Sequence, residues 1–392
     1  MHFSIPFLFN AEDCDTASTY YENSPMVRLP VDRAEPLAKQ LAAGMKLWVD
    51  PMVDGFGRTK DETSGKSWEK YVRKAPYYEC LYDPEFLSKP TQNKVDEFAD
   101  YLLDACGRLN PAAISVPQLP LTNDNSRNKI NWSLAGASQK WRTAAKYRGF
   151  LILPVIITDQ KQTNRKTERN KKVKAIAKSY VESSANGFWV VDSSLQDQLA
   201  SPTFHRTRFP GIISFHEELN EKLENAEIRI AGPYWGLNLV IWARGLVDVI
   251  AIGPGRAFQY YLPGGTSFKP NLRLAIPPLR RCSQTGPEFL KWLDQAIGKT
   301  GETGKAFQEF SSLRKNYPQL KTQEVARRQI ASFYKDWLDE IAKAHPSGRA
   351  LALYQDLSSA YVLGKTLPTL PKPEKTARRP ERVAEYFMMS CL

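Results

Sequence analysis

Short β-rich apolar runs recur along the chain at Met45–Asp50, Ala112–Val116, Phe150–Thr158, Gly187–Val191, Ile228–Ala231 and Val247–Ile252, with amphipathic stretches between them. Such runs are buried on both faces, and strand–helix units repeating at roughly 30–40 residues argue a parallel α/β fold. Their number in one series predicts an α/β TIM-like (β/α)8 barrel more than an open doubly wound sheet. No early strand leads into Gly-x-Gly-x-x-Gly, which counts against a dinucleotide-binding fold.

A chain of 392 residues holds one large domain with accessories. Residues 1–44 read as an N-terminal cap and 45–283 as the catalytic barrel, with one more strand expected at Leu272–Ile276. Residues 284–365 read as a C-terminal helical subdomain, and 366–392 as an exposed tail rich in Pro, Lys and Arg. With 42% apolar and 11% aromatic residues the chain has ample core, which excludes global disorder. Its net charge of +12 favours a polyanionic partner or an acidic membrane surface. The five cysteines are scattered without a C-x-x-C pair and the four histidines lack ligand spacing, so neither a disulfide framework, a metal site nor a cofactor is expected. No apolar run reaches about 18 residues and no signal-peptide pattern is present, so a cytoplasmic location away from the membrane is expected.

Chemistry in a parallel barrel gathers where the strands end. Three runs end there in aspartate: Asp50, Asp159 and Asp192. Meeting at one mouth, they would divide general-base work, cation stabilisation and hydrogen bonding to a base edge. Capping of the following helix is the competing reason for an aspartate at that place. Gln118 and Gln160 also follow strands and are candidate amide readers of a base edge. Asp54, in Val-Asp-Gly-Phe-Gly, is either a second acid or a turn residue. Tyr234 and Trp235, beside Gly236, are placed to stack on an extruded base. Gly253, Gly255 and Arg256 would hold a phosphate through backbone N–H groups and a guanidinium. Between Lys161 and Lys178 eight basic residues face one acid, Glu168. Of these, Arg165, Lys166, Arg169, Lys171 and Lys172 would neutralise phosphates, giving salt-sensitive affinity.

The segment Leu239–Arg256 resembles the tRNA-guanine transglycosylase-like barrel superfamily, which includes 7-deazaguanine DNA transglycosylases and related anti-phage DNA glycosylases. In that superfamily a helix ending Ala-Arg-Gly precedes the last barrel strand, which continues to Pro-x-Arg; Ala243-Arg244-Gly245 and Pro254-Gly255-Arg256 stand at the same separation. Arg229–Gly236 looks like the preceding strand with its phosphate turn. Trp48–Phe56 is similar to an Asp-Ser-Gly-Gly-Phe segment, which would make Asp50 the acid of the catalytic face, and Pro154–Gln160 falls where a Gln-bearing strand contacts the base. Two departures stand out. The nucleophilic aspartate of the last strand falls on Ile250, with Asp248 at the wrong end of the strand, and the zinc-binding cysteines are missing.

Without that nucleophile the resemblance implies hydrolysis instead of base exchange. The expected activity is cleavage of the N-glycosidic bond of a modified base in DNA, in defence against phage, with DNA favoured over tRNA as partner. Asp50 leads as the water-activating or cation-stabilising acid, and Asp192 and Asp159 are the alternates. Three other readings stay open: base exchange in tRNA or DNA, a non-catalytic nucleic-acid-binding barrel, and a sugar-phosphate enzyme.

Overall fold

The computed structural model describes residues 3–63, 67–123, 125, 127–195, 202–254, 260, 272–371 and 378–392. Eight strands form one sheet: β1 (Ser4–Pro6), β2 (Val27–Pro30), β3 (Leu47–Asp50), β4 (Ala113–Ser115), β5 (Phe150–Ile157), β6 (Gly187–Asp192), β7 (Ile228–Ala231) and β8 (Val249–Ile252). Every ladder is parallel, and β1 pairs with β8. A bridge from Phe7 to Arg28, with the Leu8 amide donating to the Arg28 carbonyl at 3.0 Å, brings β1 against β2. The sheet thereby curls into a nearly closed α/β TIM-like barrel, which hides its edges.

Two staves of that barrel come from the segment read as an N-terminal cap. β1 and β2 are 3 and 4 residues long and each ends in proline, a residue that composition assigns to turns. The strand expected near Leu272–Ile276 lies outside the barrel: β9 (Arg273–Ile276) pairs antiparallel with β10 (Arg281–Gln284) in a separate hairpin.

Around the barrel stand α1 (Ala11–Tyr20), α2 (Gln92–Gly107), α3 (Asn128–Ala144), α4 (Lys166–Ser183), α5 (Pro202–Lys222) and α6 (Gly236–Ala243). The C-terminal part holds α7 (Pro287–Lys299), α8 (Lys305–Asn316), α9 (Gln323–Ala342), α10 (Arg349–Thr366) and α11 (Arg382–Ser390). One apolar cluster runs without a break from the barrel lumen through α6 into α9, α10 and α11, while β9, α7 and α8 share a smaller one. The stretch read as an exposed tail ends in α11, whose Phe387 stacks on Phe209 of α5 with ring centroids 5.6 Å apart. Its apolar face (Val383, Ala384, Tyr386, Phe387) is buried, so hydrophobic contact overrides the basic, Pro-rich composition just before it.

Strand parity decides which side chains reach the lumen. In β3, Trp48 and Asp50 point inward while Val49 packs under the helices; in β6, Trp189 and Val191 point inward while Phe188 and Val190 face out. Trp48, Trp189 and Phe7 fill the lumen edge to face, with centroids 5.0 to 5.7 Å apart. Arg28, also inward on β2 and fully buried, lies over Phe7 at 4.5 Å and over Trp189 at 4.7 Å.

Outside the barrel, α5 buries His216 completely, with neither ring nitrogen partnered among the described residues. Burial holds its pKa down at about 3, against an ordinary 6.5. Below the ordinary value the unfolded chain takes up a proton that the folded chain refuses. Stability is therefore complete above about pH 6.5 and is lost as pH falls toward 3, by on the order of 1.4 kcal/mol per unit. His216→Phe is expected to flatten that acid limb in urea unfolding at pH 7 and pH 4.5; an unchanged slope would contradict it.

Candidate active site at the carboxyl-terminal mouth

Inward parity carries Asp50, at the end of β3, to the top of the lumen. Its Oδ2 accepts from Arg28 Nε at 2.9 Å and from Ser115 Oγ at 2.8 Å, and its Oδ1 accepts from the Met52 amide at 2.6 Å. Trp48 Nε1 donates to Ser115 Oγ at 2.9 Å, so a lumenal ring orients the hydroxyl that orients the carboxylate. Asp50 is thus a fixed, buried ion with a buried counter-ion.

The chain then turns through Met52, left-handed at φ 61°, into a 3-10 turn over Val53–Gly57. That turn points Asp54 back at the same cleft. Asp54 is buried, and the Tyr260 hydroxyl meets its Oδ2. Burial, and then the charge of Asp50, push the Asp54 carboxyl up to about 7, while Arg28 and the Tyr260 hydrogen bond restrain the rise. Near neutral pH the mouth therefore holds two unlike carboxyls, one tied to a guanidinium and one close to half-protonated. Asp54 is a turn residue, one of the two readings open for it in the sequence, and that turn also brings it to the lining of the cleft.

Trp68 covers this turn, its Nε1 donating to the Met52 carbonyl at 2.6 Å. A Cβ at Gly55 would overlap the Trp68 indole. Gly55→Ala is accordingly expected to cost about 1–3 kcal/mol in denaturant unfolding through overpacking; a change within error would show that the indole moves aside freely.

Asp50, Asp54, Gln118, Pro154, Ile156 and Trp189 line one narrow cleft at this mouth. Gln118 donates both amide hydrogens to protein, to the Pro117 carbonyl at 2.8 Å and the Asn131 carbonyl at 2.9 Å. Its carbonyl oxygen is the end left to accept from a ligand.

The other two strand-end aspartates do not join Asp50. Asp192 has the opposite parity on β6 and faces outward, where Arg208 of α5 pairs with it and Ser194 donates to it from the amide at 2.8 Å and the hydroxyl at 2.7 Å. Both members of that pair are wholly buried, and Arg208 Nη1 also donates to Thr163 Oγ1 at 2.5 Å. Asp159 sits on the rim and accepts from the Lys161 amide at 2.7 Å and from Asn123 at 3.0 Å, as a cap does. The expected convergence of three carboxylates is thus corrected to a pair, Asp50 and Asp54.

Several other expected contacts are also relocated. Trp235 is buried against Tyr334 of α9, with centroids 5.4 Å apart, and Tyr234 is fully buried, so neither offers a face to a base. Gln160 is exposed at the start of a short helical turn, Lys161–Asn164, away from the cleft lining. Gly253 is buried, and Gly255 and Arg256 lie outside the described residues. Arg165, Lys166 and Lys171 are exposed. Arg169 instead binds Glu218 of α5 at 2.8 Å and the Thr163 carbonyl at 2.7 Å, and the buried Lys172 reaches Asn125 at 3.0 Å; both fasten α4 to its neighbours.

Sequence reasoning missed Arg28 and Ser115 and gave Tyr260, an aromatic near a strand end, no role. A charged residue inside Val-Arg-Leu-Pro was the available signal for Arg28, since a buried strand admits a charge only with a partner. Among the described residues no cluster of His, Cys, Asp or Glu could hold a metal ion, and no helix is long and apolar enough to cross a membrane. Comparison of the chain with known families, curated proteins and solved structures finds no match.

Proposed function

We propose that this barrel is an N-glycosyl hydrolase that releases a base, modified in its natural substrate, from DNA. The observation that carries the reading is the pairing in one cleft of an anchored carboxylate, Asp50, with a carboxyl held near neutrality, Asp54. Glycosidic cleavage asks for that division of labour: an acid for the leaving group and an anion for the sugar cation. Asp54 gives its proton to the departing base as the C1′–N bond breaks and the bonding pair leaves with the base. Asp50 stabilises the oxocarbenium-like sugar. Water then adds to C1′ and returns a proton to Asp54, which restores the enzyme and leaves an abasic site.

Support for a polymeric anion comes from Lys166, Lys174 and Lys178, all exposed and, at separations of eight and four residues, on one side of α4. Replacing the three with alanine is expected to reduce the slope of log K against log salt for DNA binding by roughly 2–3. A slope that stays put would remove α4 from the interface. For the chemistry, the full chain is incubated with DNA carrying natural and hypermodified bases. The expected products are free base, detected by mass spectrometry, and alkali-labile sites, without uptake of labelled free base. Uptake of label would mean exchange; DNA of unchanged mass would sink the proposal.

A further inference from the structure

We propose that Tyr260 is a positioning residue for Asp54: its hydroxyl donates to Oδ2 and so confines the acidic proton to Oδ1, the oxygen left for the cleft. The inference rests on the reading of Asp54 as the acid. Tyr260 lies 206 residues further along the chain, past β8, and reaches across the mouth to the turn after β3. It is buried, and its ring meets Trp189 edge to face at 5.7 Å. Trp189 is itself wedged against Trp48 and Phe7, so the lumenal aromatics fix where the hydroxyl sits.

The hydrogen-bond inventory sets the direction. Asp54 is the partner of the Tyr260 hydroxyl, and Asp54 Oδ1 is buried with no partner among the described residues although Asp54 lines the cleft. If Tyr260 accepted instead, its own hydrogen would be buried without an acceptor. With Tyr260 donating, a neutral Asp54 carries its proton on Oδ1, and on ionisation the same hydrogen bond stabilises the anion. The charged groups facing Asp54 from neighbouring elements are Asp50, from β3, which opposes ionisation, and Arg28, from β2, which favours it. Tyr260 acts on the same equilibrium from the opposite side of the mouth.

The test is a titration of the full chain labelled with ¹³C at the aspartate carboxyls, the Asp54 signal being the one lost in Asp54→Asn. Tyr260→Phe keeps the ring against Trp189 and removes the donor, so the Asp54 midpoint is expected to rise by about one pH unit, a tenfold gain in proton affinity. Replacing Tyr260 with 3-fluorotyrosine, a stronger donor of the same shape, is expected to move the midpoint down. The falling limb of base release should shift with each midpoint. A midpoint unmoved by both changes overturns the inference, even if base release persists. Midpoints that move as expected in a chain that releases no base would uphold the positioning of Asp54 and sink the glycosidase reading alone.

Discussion

Asp54→Asn is expected to slow base release by about 10²–10⁴-fold, the range over which a positioned acid contributes, while making the protein more stable in mild alkali. Asparagine keeps an oxygen for the Tyr260 hydroxyl but cannot give up a proton to a leaving base. The sign of the stability change follows from the direction of the shift. The folded pKa of Asp54 lies at about 7 and the ordinary one at 3.8, so the unfolded chain ionises first. Stability associated with this group is complete below the ordinary value and is lost as pH rises through about 7, at roughly 1.4 kcal/mol per unit. The asparagine variant escapes that loss. Urea unfolding at pH 4 and pH 8 should show the variant close to wild type at the lower pH and ahead by a few kcal/mol at the higher. Equal stability at both would mean that Asp54 ionises like an exposed carboxyl, and the acid role would fall with it.

Asp192→Ala is expected to do the reverse. It removes the counter-ion of a guanidinium that has no access to water, and breaking such a pair costs about 3–5 kcal/mol. Against a total stability of 5–15 kcal/mol, typical of folded domains, that loss brings the chain near its unfolding threshold. What remains folded should release base with an unshifted pH dependence, because Asp192 faces α5 and not the cleft. Replacing Asp192 and Arg208 together with leucine and methionine should recover most of the loss, since well-packed apolar side chains often match a buried ion pair. Both variants are read by denaturant unfolding. A loss below about 1 kcal/mol for Asp192→Ala would mean that water or another group reaches Arg208. A pH profile displaced by the substitution would put Asp192 back among the working acids.

The barrel was legible for the same reason that the site was only half legible. Strands of a parallel barrel are apolar on both faces, so Phe150–Ile157 and Gly187–Asp192 stand out as runs. That continuity also erases the alternation that would reveal which side is inside. Leu-Trp-Val-Asp and Phe-Trp-Val-Val-Asp look alike, yet one ends with its aspartate in the lumen and the other with its aspartate outside. One extra residue reverses the face. β1 and β2 were illegible because each ends in proline within a mixed, Pro-bearing stretch that reads as loop. Tyr234 and Trp235 follow a Gly-Pro turn and have the composition of an exposed loop, but α9, a hundred residues on, docks over them: the Tyr334 hydroxyl donates to the Trp235 carbonyl at 2.9 Å. The basic run announced charge correctly, whereas Glu218, which takes Arg169 out of play, lies 49 residues away. Long-range partners such as these, and the reach of Tyr260 to Asp54, are products of closure that local spacing does not encode.

The pairing of Asp54 with Asp50 is tested most directly by the pH dependence of single-turnover base release from a DNA substrate. With Asp54 as the proton donor, the rate should hold steady below about pH 7 and fall tenfold per unit above it, and the fall should vanish in Asp54→Asn together with nearly all of the rate. A rate that rises through pH 7, or one that falls there equally in wild type and variant, would contradict the assignment.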